Sequence, residues 1–499
     1  MNSSFSYCIF GAWILVFGYS VKSYEIACRH AYKGYNLSCR FNYLDDNKTL
    51  AEDLPKIFAN YTQYISHLTL GISNLSAIPA DTFDVVPNVN TLVARAGIRT
   101  IKNTDFVNAT KLVMLNFGYN NRLEKLESRL FEYVPTLEYI DLGYNDIGEI
   151  EDDVFYGLVN LKTLYLEANA IDILTNGTFT GAENLRFLEM SKNQINEIQN
   201  GTFDNLSKLR IIQMNRNRIQ MLQAGIFDGL KSIERIDLSI NQITEIEAGV
   251  FDNLSTLKLL ELGFNRLQML PVSIFDGLPN LKTLFLAYNQ LHDIDYIFTN
   301  ITQLKTLDIS YNPLGSISSY VFLNMLDLES LELRGCNLSE IQPDQFIEQR
   351  HLEILDLSEN NLTAIDLTVF EPLDALQVLK LEANRISELN NFTEIKTMMP
   401  SISFLNLQRN EIDCDTVHDI IDYFRKNGIE YEFGEEVDVG CRLLPIQSRN
   451  IQAYELSHAE FIPKATIADT KSNETNTNNI NNNDNNSANN DDDDDDTMN

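Results

Sequence analysis

The sequence predicts an α/β repeat solenoid, a horseshoe of stacked coils with a parallel β-sheet on its concave face and loops or short helical turns on its convex face. Three observations carry the prediction. Stretches such as LKTLYLEANAIDILTNGTF (161–179), LRFLEMSKNQINEIQNGTF (185–203) and IERIDLSINQITEIEAGVF (233–251) share the pattern LxxLxLxxNxLxxIxxxxF. The asparagines of that pattern stand at 145, 169, 193, 217, 241, 265 and 289, a strict period of 24 residues. Phenylalanines keep similar time at 83, 106, 131, 155, 179, 203, 227, 251, 275, 298, 322, 346 and 370.

The chemistry of one repeat explains its spacing. In Leu161-x-x-Leu164-x-Leu166 the last two leucines alternate along a short strand and point to one face, while Thr163, Tyr165 and Glu167 point to the other. The chain then turns at Asn169, whose amide can bond the backbone of the turn and of the adjoining coil. Buried backbone groups without partners would cost about 1–3 kcal/mol each. Ile171 and Leu174 return to the core, and Phe179 fills it from the far side. A single repeat cannot cover its own apolar face; stacked neighbours can, each strand pairing in parallel with its equivalent in the next coil.

Residues 1–23 read as a signal peptide. Ile9–Tyr19 is an apolar run of eleven residues, short for a bilayer span, and Val21-Lys22-Ser23 offers a small residue at a cleavage point. The first residues contain no Lys or Arg, so a signal anchor is the alternative. No later stretch is apolar enough for a membrane helix, and the expected product is secreted, extracellular and without an integral membrane segment. Residues 24–64 form an N-terminal cap with Cys28 and Cys39, and about fifteen repeats fill 65–412. A C-terminal cap at 413–444 carries Cys414 and Cys441. Disulfides Cys28–Cys39 and Cys414–Cys441 would fasten the two ends, where terminal coils expose core and a bare sheet edge.

Three coils break rhythm: Ala94 and Gly97 replace a leucine and an asparagine, Asn120-Asn121 adds a residue, and TEIKTMMPSIS (393–403) is a longer insert. Local irregularity is expected there. In the C-terminal cap, Val417, Ile420, Ile421 and Phe424 share one helical face, with Asp413 or Asp415 to start the helix and Gly428 to end it. Residues 445–499 form an Asn/Asp-rich acidic tail, expected to be disordered because it has too little apolar surface to offset its ordering entropy. Its aspartates Asp491–Asp496 could hold Ca²⁺ loosely, but nothing there fixes a coordination geometry, so a solvated tail is expected.

Sequons at Asn36, Asn47, Asn60, Asn74, Asn108, Asn176, Asn200, Asn205, Asn253, Asn300, Asn337, Asn361 and Asn391 mark expected N-glycosylation sites, and none occupies an outward strand position. The net charge of −33 argues against nucleic acid and anionic membranes as partners. The chain has no HExxH, GxSxG, P-loop or GxGxxG motif, and its six histidines lack metal-ligand spacing, so neither enzyme activity nor a cofactor or metal is expected. Cys336 sits where a ladder asparagine belongs; a buried structural thiol is expected, with an intermolecular disulfide as the alternative.

The concave face carries the functional expectation. Its central outward positions are Asp141, Tyr165, Glu189, Gln213, Asp237, Glu261, Phe285, Asp308, Glu332, Asp356, Lys380 and Asn406, seven of them acidic, which stacks like charges along the sheet. Three positions further on stand Tyr144, Phe264, Tyr288 and Tyr311. The cluster Asp237, Glu261, Phe264, Phe285, Tyr288, Asp308 and Tyr311 is the expected partner-binding site, exposed aromatics among charges being usual hot-spot chemistry.

These repeats resemble the leucine-rich repeats of Toll-type receptor ectodomains and of secreted insect leucine-rich immune proteins of the coil-less type, which share a cysteine-bearing N-cap and a C-cap similar to NEIDCDTVHDIIDYFRKNGIEYEF. The resemblance implies a secreted binding protein of innate immunity, acting in recognition or as a scaffold. Its partner would be an extracellular protein or a microbial surface ligand, complement-like thioester proteins among them. An extracellular adhesion or developmental ligand or matrix protein using the same surface is the alternative reading. Oligomeric state is left open.

Overall fold

The computed structural model describes residues 17–21, 24–30, 37–42, 62–71, 75–119 and 121–433. Asn36, Asn47, Asn60, Asn74, Cys441 and the expected acidic tail lie outside them. One sheet of 19 strands runs through the chain. Phe17–Val21, which falls within the expected signal peptide, pairs antiparallel with Tyr24–His30, and that strand pairs antiparallel with Leu37–Asn42. Every later pairing is parallel, from Ile65–Leu70 and Thr91–Ala94 onward to Phe404–Asn406 and Glu430–Glu432. From Ile65–Leu70 to Phe404–Asn406, both included, the main sheet has fifteen strands, one for each expected repeat.

The register repeats the sequence period. Leu164 stands opposite Leu188, then Ile212, Ile236, Leu260 and Leu284, all fully buried, so each coil stacks its apolar knob directly on its neighbour's. All thirteen spine phenylalanines are buried, and neighbouring rings from Phe131 to Phe298 lie 6.0–6.3 Å apart with planes within 21° of parallel. The asparagine ladder joins the coils in between. Asn193 donates to the carbonyls of Leu166, Met190 and Ser191 (2.9, 3.1 and 3.3 Å) and accepts from Ile171 N–H (3.2 Å).

The irregular coils keep this scheme. Asn121 reaches past its extra residue to serve the Ala94 carbonyl (2.7 Å) and the Ala96 and Ile98 N–H groups (3.2 and 3.0 Å). The groups of the coil before that a residue 97 asparagine would serve are met by backbone, Leu75 N–H donating to the Ala96 carbonyl (3.1 Å) and Arg95 N–H to the Leu70 carbonyl (2.8 Å). The long insert folds into a 3-10 turn at Phe392–Glu394 and a short helix at Ile395–Met398. Opposite the main sheet, short strands pair in four separate ribbons: Lys125–Leu126 with Glu149–Ile150, Ile173–Leu174 with Glu197–Ile198, Met221–Leu222 with Glu245–Ile246, and Ala364–Asp366 with Glu388–Asn390. Among the described residues none lies between Ile246 and Ala364.

The C-terminal helix spans Cys414–Asn427. Asp413 caps it by accepting from Asp415 and Thr416 N–H, Gly428 ends it in the left-handed region, and Val417, Ile420, Ile421 and Phe424 are buried. Cys28 stands directly across from Cys39 in the antiparallel pair. Cys39 and Cys414 are both in the disulfide form.

Candidate binding face

Each short strand buries its middle residue, and strands such as Thr163–Tyr165, Ile211–Gln213, Leu259–Glu261 and Thr283–Phe285 leave both flanking side chains half-buried, so the wall is paved by one outward row per register position. The acidic row has a structural task that the sequence reading assigned to binding. Asp141, Asp237, Asp308 and Asp356 each accept from the N–H two residues on, at Gly143, Ser239, Ser310 and Ser358, over 2.9–3.0 Å. There the strand ends and the backbone bends, and the carboxylate occupies the N–H that the turn would otherwise leave open. Asp237 and Asp308, expected beside the aromatics as exposed charge, are buried at 4% and 2% exposure. The recurring Asp-x-Ser/Gly triplet is the signal that announces this role.

Glu189 is held in the same way, accepting from Ser191 N–H (2.8 Å), but the other glutamates of the face are held differently. Glu261 receives the Arg235 guanidinium at 2.6 Å, yet burial and the nearby Asp237 push its carboxyl up to about 7. Burial, then Asp308 and Asp356, raise Glu332 to about 7, and burial, with Asp141 and Glu189 adding to it, does the same for Glu167. Phe285 is half-buried, in register between Glu261 and Asp308.

Phe264, Tyr288 and Tyr311 come together as expected, but in the turn just past the strands. Each has φ of 55°, and each donates its N–H to the next coil, to the carbonyls of Ala287, Ser310 and Arg334 respectively. The left-handed backbone aligns their side chains in one row. Phe264 stacks on Tyr288 at 4.2 Å, and Tyr288 on Tyr311 at 4.3 Å. Phe264 and Tyr288 are 50% and 44% exposed, whereas Tyr311 is half-buried and donates its hydroxyl to Glu359 (2.8 Å). Glu359 also binds the Arg334 guanidinium at 2.7 Å. The row stops at Gly335, where a Cβ would stand 2.6 Å from the Tyr311 ring. At its other end Ile240, 37% exposed with φ of 53°, prolongs the apolar strip. Sequence reasoning missed Ile240 because it sought only aromatics at this position.

A second aromatic region was expected only in part, through Tyr144 and Tyr165; Tyr119, Tyr139 and Phe187 were missed. Tyr119 stacks on Tyr144 at 4.2 Å, and on the sheet Tyr165 packs against Tyr139 (5.5 Å) and Phe187 (5.2 Å). The extra residue after Tyr119 hides its register in the sequence; its φ of 62° and its N–H bond to the Gly143 carbonyl show that it belongs to the same row as Tyr144.

The described sequons lie off the sheet: Asn108, Asn176, Asn200, Asn205, Asn253, Asn300, Asn337 and Asn391 are exposed in turns and loops, and Asn361 is half-buried beside Asn337, to which its amide donates. Cys336 is fully buried, and its Sγ donates to the Ile309 carbonyl at 3.4 Å. Burial pushes its thiol up to about 12, and no neighbouring chain could reach it without opening the coil. Among the described residues no group of three or more His, Cys, Asp or Glu side chains could hold a metal ion, and no helix is long and apolar enough to cross a membrane.

A family model described as leucine rich repeat matches residues 110–171, 159–219, 207–267, 255–314 and 326–386. No curated protein matches the chain. Among solved structures, the TLR13–ssRNA13 complex superposes with a TM-score of 0.64 at 22% identity, over 78% of this chain and 59% of that one. A leucine-rich repeat protein of Leptospira interrogans gives 0.62 at 23% identity, over 77% and 99% of the two chains. The Drosophila Toll–Spatzle complex, described as a hub in development and innate immunity, gives 0.58 at 19% identity, over 80% and 65%. The chain thus spans less than two thirds of the TLR13 and Toll chains it resembles, and at these identities the likeness is one of fold.

Proposed function

Because the chain belongs to the leucine-rich repeat family, whose stacked coils offer a continuous wall of side chains, we propose that it is a secreted, extracellular binding protein of innate immunity. It recognises a protein partner or microbial surface ligand on the sheet side. The observation that carries this reading is the strip Ile240–Phe264–Tyr288–Tyr311. Three of its four side chains are more than a third exposed, and its rings are already stacked. Pre-ordered aromatics lose little conformational freedom on binding, the property that makes them interface anchors. Phe285, Glu261, Asp237 and Asp308 form the floor behind the strip, the two aspartates fixing the backbone rather than meeting the partner. Sequons kept off the sheet support the same face. A wall of repeating strands without a convergent set of titratable groups fits a binding scaffold rather than an enzyme.

The test uses the full chain with Phe264→Ala and Tyr288→Ala as bait in body fluid, against the unsubstituted chain and against Tyr119→Ala with Tyr144→Ala. Partners identified by mass spectrometry with the unsubstituted chain should be lost from the first variant and kept by the second. Equal capture by all three would reject the strip as the binding surface. Secretion is checked by appearance in insect-cell medium and a mass shift with N-glycosidase. Retention in a carbonate-washed membrane pellet would reject it in favour of a signal anchor. Peptide mapping without reduction should return Cys28–Cys39 and Cys414–Cys441.

A further inference from the structure

We infer that the edge of the sheet where the strands begin is a docking row for a linear sulfated polysaccharide. The residues immediately before seven consecutive strands are Lys162, Arg186, Arg210, Glu234, Lys258, Lys282 and Lys305. They are strictly in line, because each donates its backbone N–H to the carbonyl of its equivalent one coil earlier: Arg186 to Lys162, Arg210 to Arg186, Glu234 to Arg210, Lys258 to Glu234, Lys282 to Lys258 and Lys305 to Lys282, all at 2.8–2.9 Å. At about 4.8 Å per strand the row is roughly 29 Å long. It holds six cations and one carboxylate in a chain where Lys and Arg make up only 38 of 499 residues and the net charge is −33. Like charges one strand apart repel, and the row relieves this only in part, through Glu234 and through Glu138 and Glu329, which continue it at either end.

The cations are open to such a ligand. Arg186 and Lys282 are exposed and form no ion pair among the described residues. Glu234 bridges Arg210 (2.6 Å) and Lys258 (2.8 Å), Lys162 pairs with Glu138 (2.8 Å), and Lys305 pairs with Glu329. The side chains of these four cations remain 43–58% exposed, and exposed pairs of this kind are weak enough for a polyanion to displace. A single file of charges one coil apart suits an extended, regularly charged chain better than a folded acidic protein. Single-stranded nucleic acid binding also uses a row of stacking rings. Among the first residues of these seven strands the one ring is Phe187, which packs against Tyr165, and the exposed aromatic strip lies past the opposite ends of the strands. A sulfated polysaccharide needs charge and no stacking platform.

The test measures binding of the full chain to heparin, to desulfated heparin and to single-stranded RNA of similar length across a salt series. Heparin should bind, weaken steeply with salt, and lose at least roughly tenfold in affinity in Arg186→Gln with Lys282→Gln. An equal charge change off the row, Arg216→Gln with Arg218→Gln, should stay within about twofold of the unsubstituted chain. Protection of Lys162, Lys258, Lys282 and Lys305 from acetylation by bound heparin reads the same contact without a variant. Equal binding of desulfated heparin, tighter binding of RNA, equal losses in both variants, or unprotected lysines would each overturn the inference.

Discussion

The ladder positions 312 and 336 allow a stringent test of why these asparagines are there. Asn312 is fully buried; it donates to the carbonyls of Leu286 (3.0 Å), Ile309 (2.8 Å) and Ser310 (3.3 Å), and its Oδ1 accepts from Leu291 N–H (2.9 Å). In Asn312→Cys a thiol would keep one weak donor bond and leave the Leu291 N–H buried without a partner. An orphaned group costs about 1–3 kcal/mol and a lost amide bond about 1 more, giving roughly 2–4 kcal/mol. The reverse change, Cys336→Asn, should be nearly neutral, because amide donor bonds to the Ile309 and Arg334 carbonyls are offset by the cost of an unpaired amide oxygen. In the preceding coil Leu314 N–H donates to the Asn312 carbonyl (2.8 Å) and Gly315 N–H to the Cys336 carbonyl (3.0 Å), so a new amide oxygen would find no donor waiting. Hydrogen exchange with mass spectrometry suits a repeat chain whose coils open separately. Peptides containing Leu291 should exchange roughly thirty- to a thousandfold faster in Asn312→Cys, at about 1.4 kcal/mol per decade. Exchange within about fivefold of the parent, or a clear slowing in Cys336→Asn, would refute the donor-accounting argument.

Three further outcomes are expected. Phe227→Ala, at the middle of the stacked spine, should cost about 3–5 kcal/mol and speed exchange in the coils on both sides, because its ring contacts Phe203 (6.1 Å) and Phe251 (6.3 Å). Stability should fall as pH rises from about 4.5 to about 7: Glu167, Glu261 and Glu332 hold protons in the folded chain that the unfolded chain has already released. Melting temperatures across that window should show it, with Glu332→Gln reducing the slope. Gly335→Ala should strain a backbone at φ of 65° and push on the Tyr311 ring, breaking its bond to Glu359 with a change in tyrosine fluorescence; an unaltered spectrum would show that the ring is not held there.

The coil phase, the spine and the capping helix were legible in the sequence because each is fixed by a period that tolerates no slip. A one-residue shift at Leu164 would turn Tyr165 into the core and leave the strand's apolar side chains in water. The candidate face was legible only in part. Residue type placed Phe264, Tyr288 and Tyr311 together, but it could not separate an aspartate that binds a partner from Asp237 or Asp308, which bind their own turn. That distinction depends on a backbone N–H, which has no letter in the sequence. Tyr119 was hidden by one inserted residue. The row from Lys162 to Lys305 was hidden by a net charge that averages over the whole chain, although an edge interacts through its local charges.

The gap in the ribbons opposite the sheet has a mechanical consequence. Glu151, Gln199 and Glu247 each donate their N–H to the preceding coil, to the carbonyls of Leu126, Leu174 and Leu222, so each ribbon ties one pair of neighbouring coils at the rear of the solenoid. At the next such position Asp295 N–H turns to the Asp293 carboxylate instead (2.8 Å). Before Ile246 every second junction from Lys125 onward is tied in this way, and from Ile246 to Ala364 none is among the described residues, so that the coils there are joined by strand bonds on one side only. Pulled from its ends, the chain should yield first in this singly laced span, and the strip from Phe264 to Tyr311 lies within it. A ligand lying along that strip would bridge three coils at their weakest seam, so its binding should register as a higher rupture force as well as an affinity.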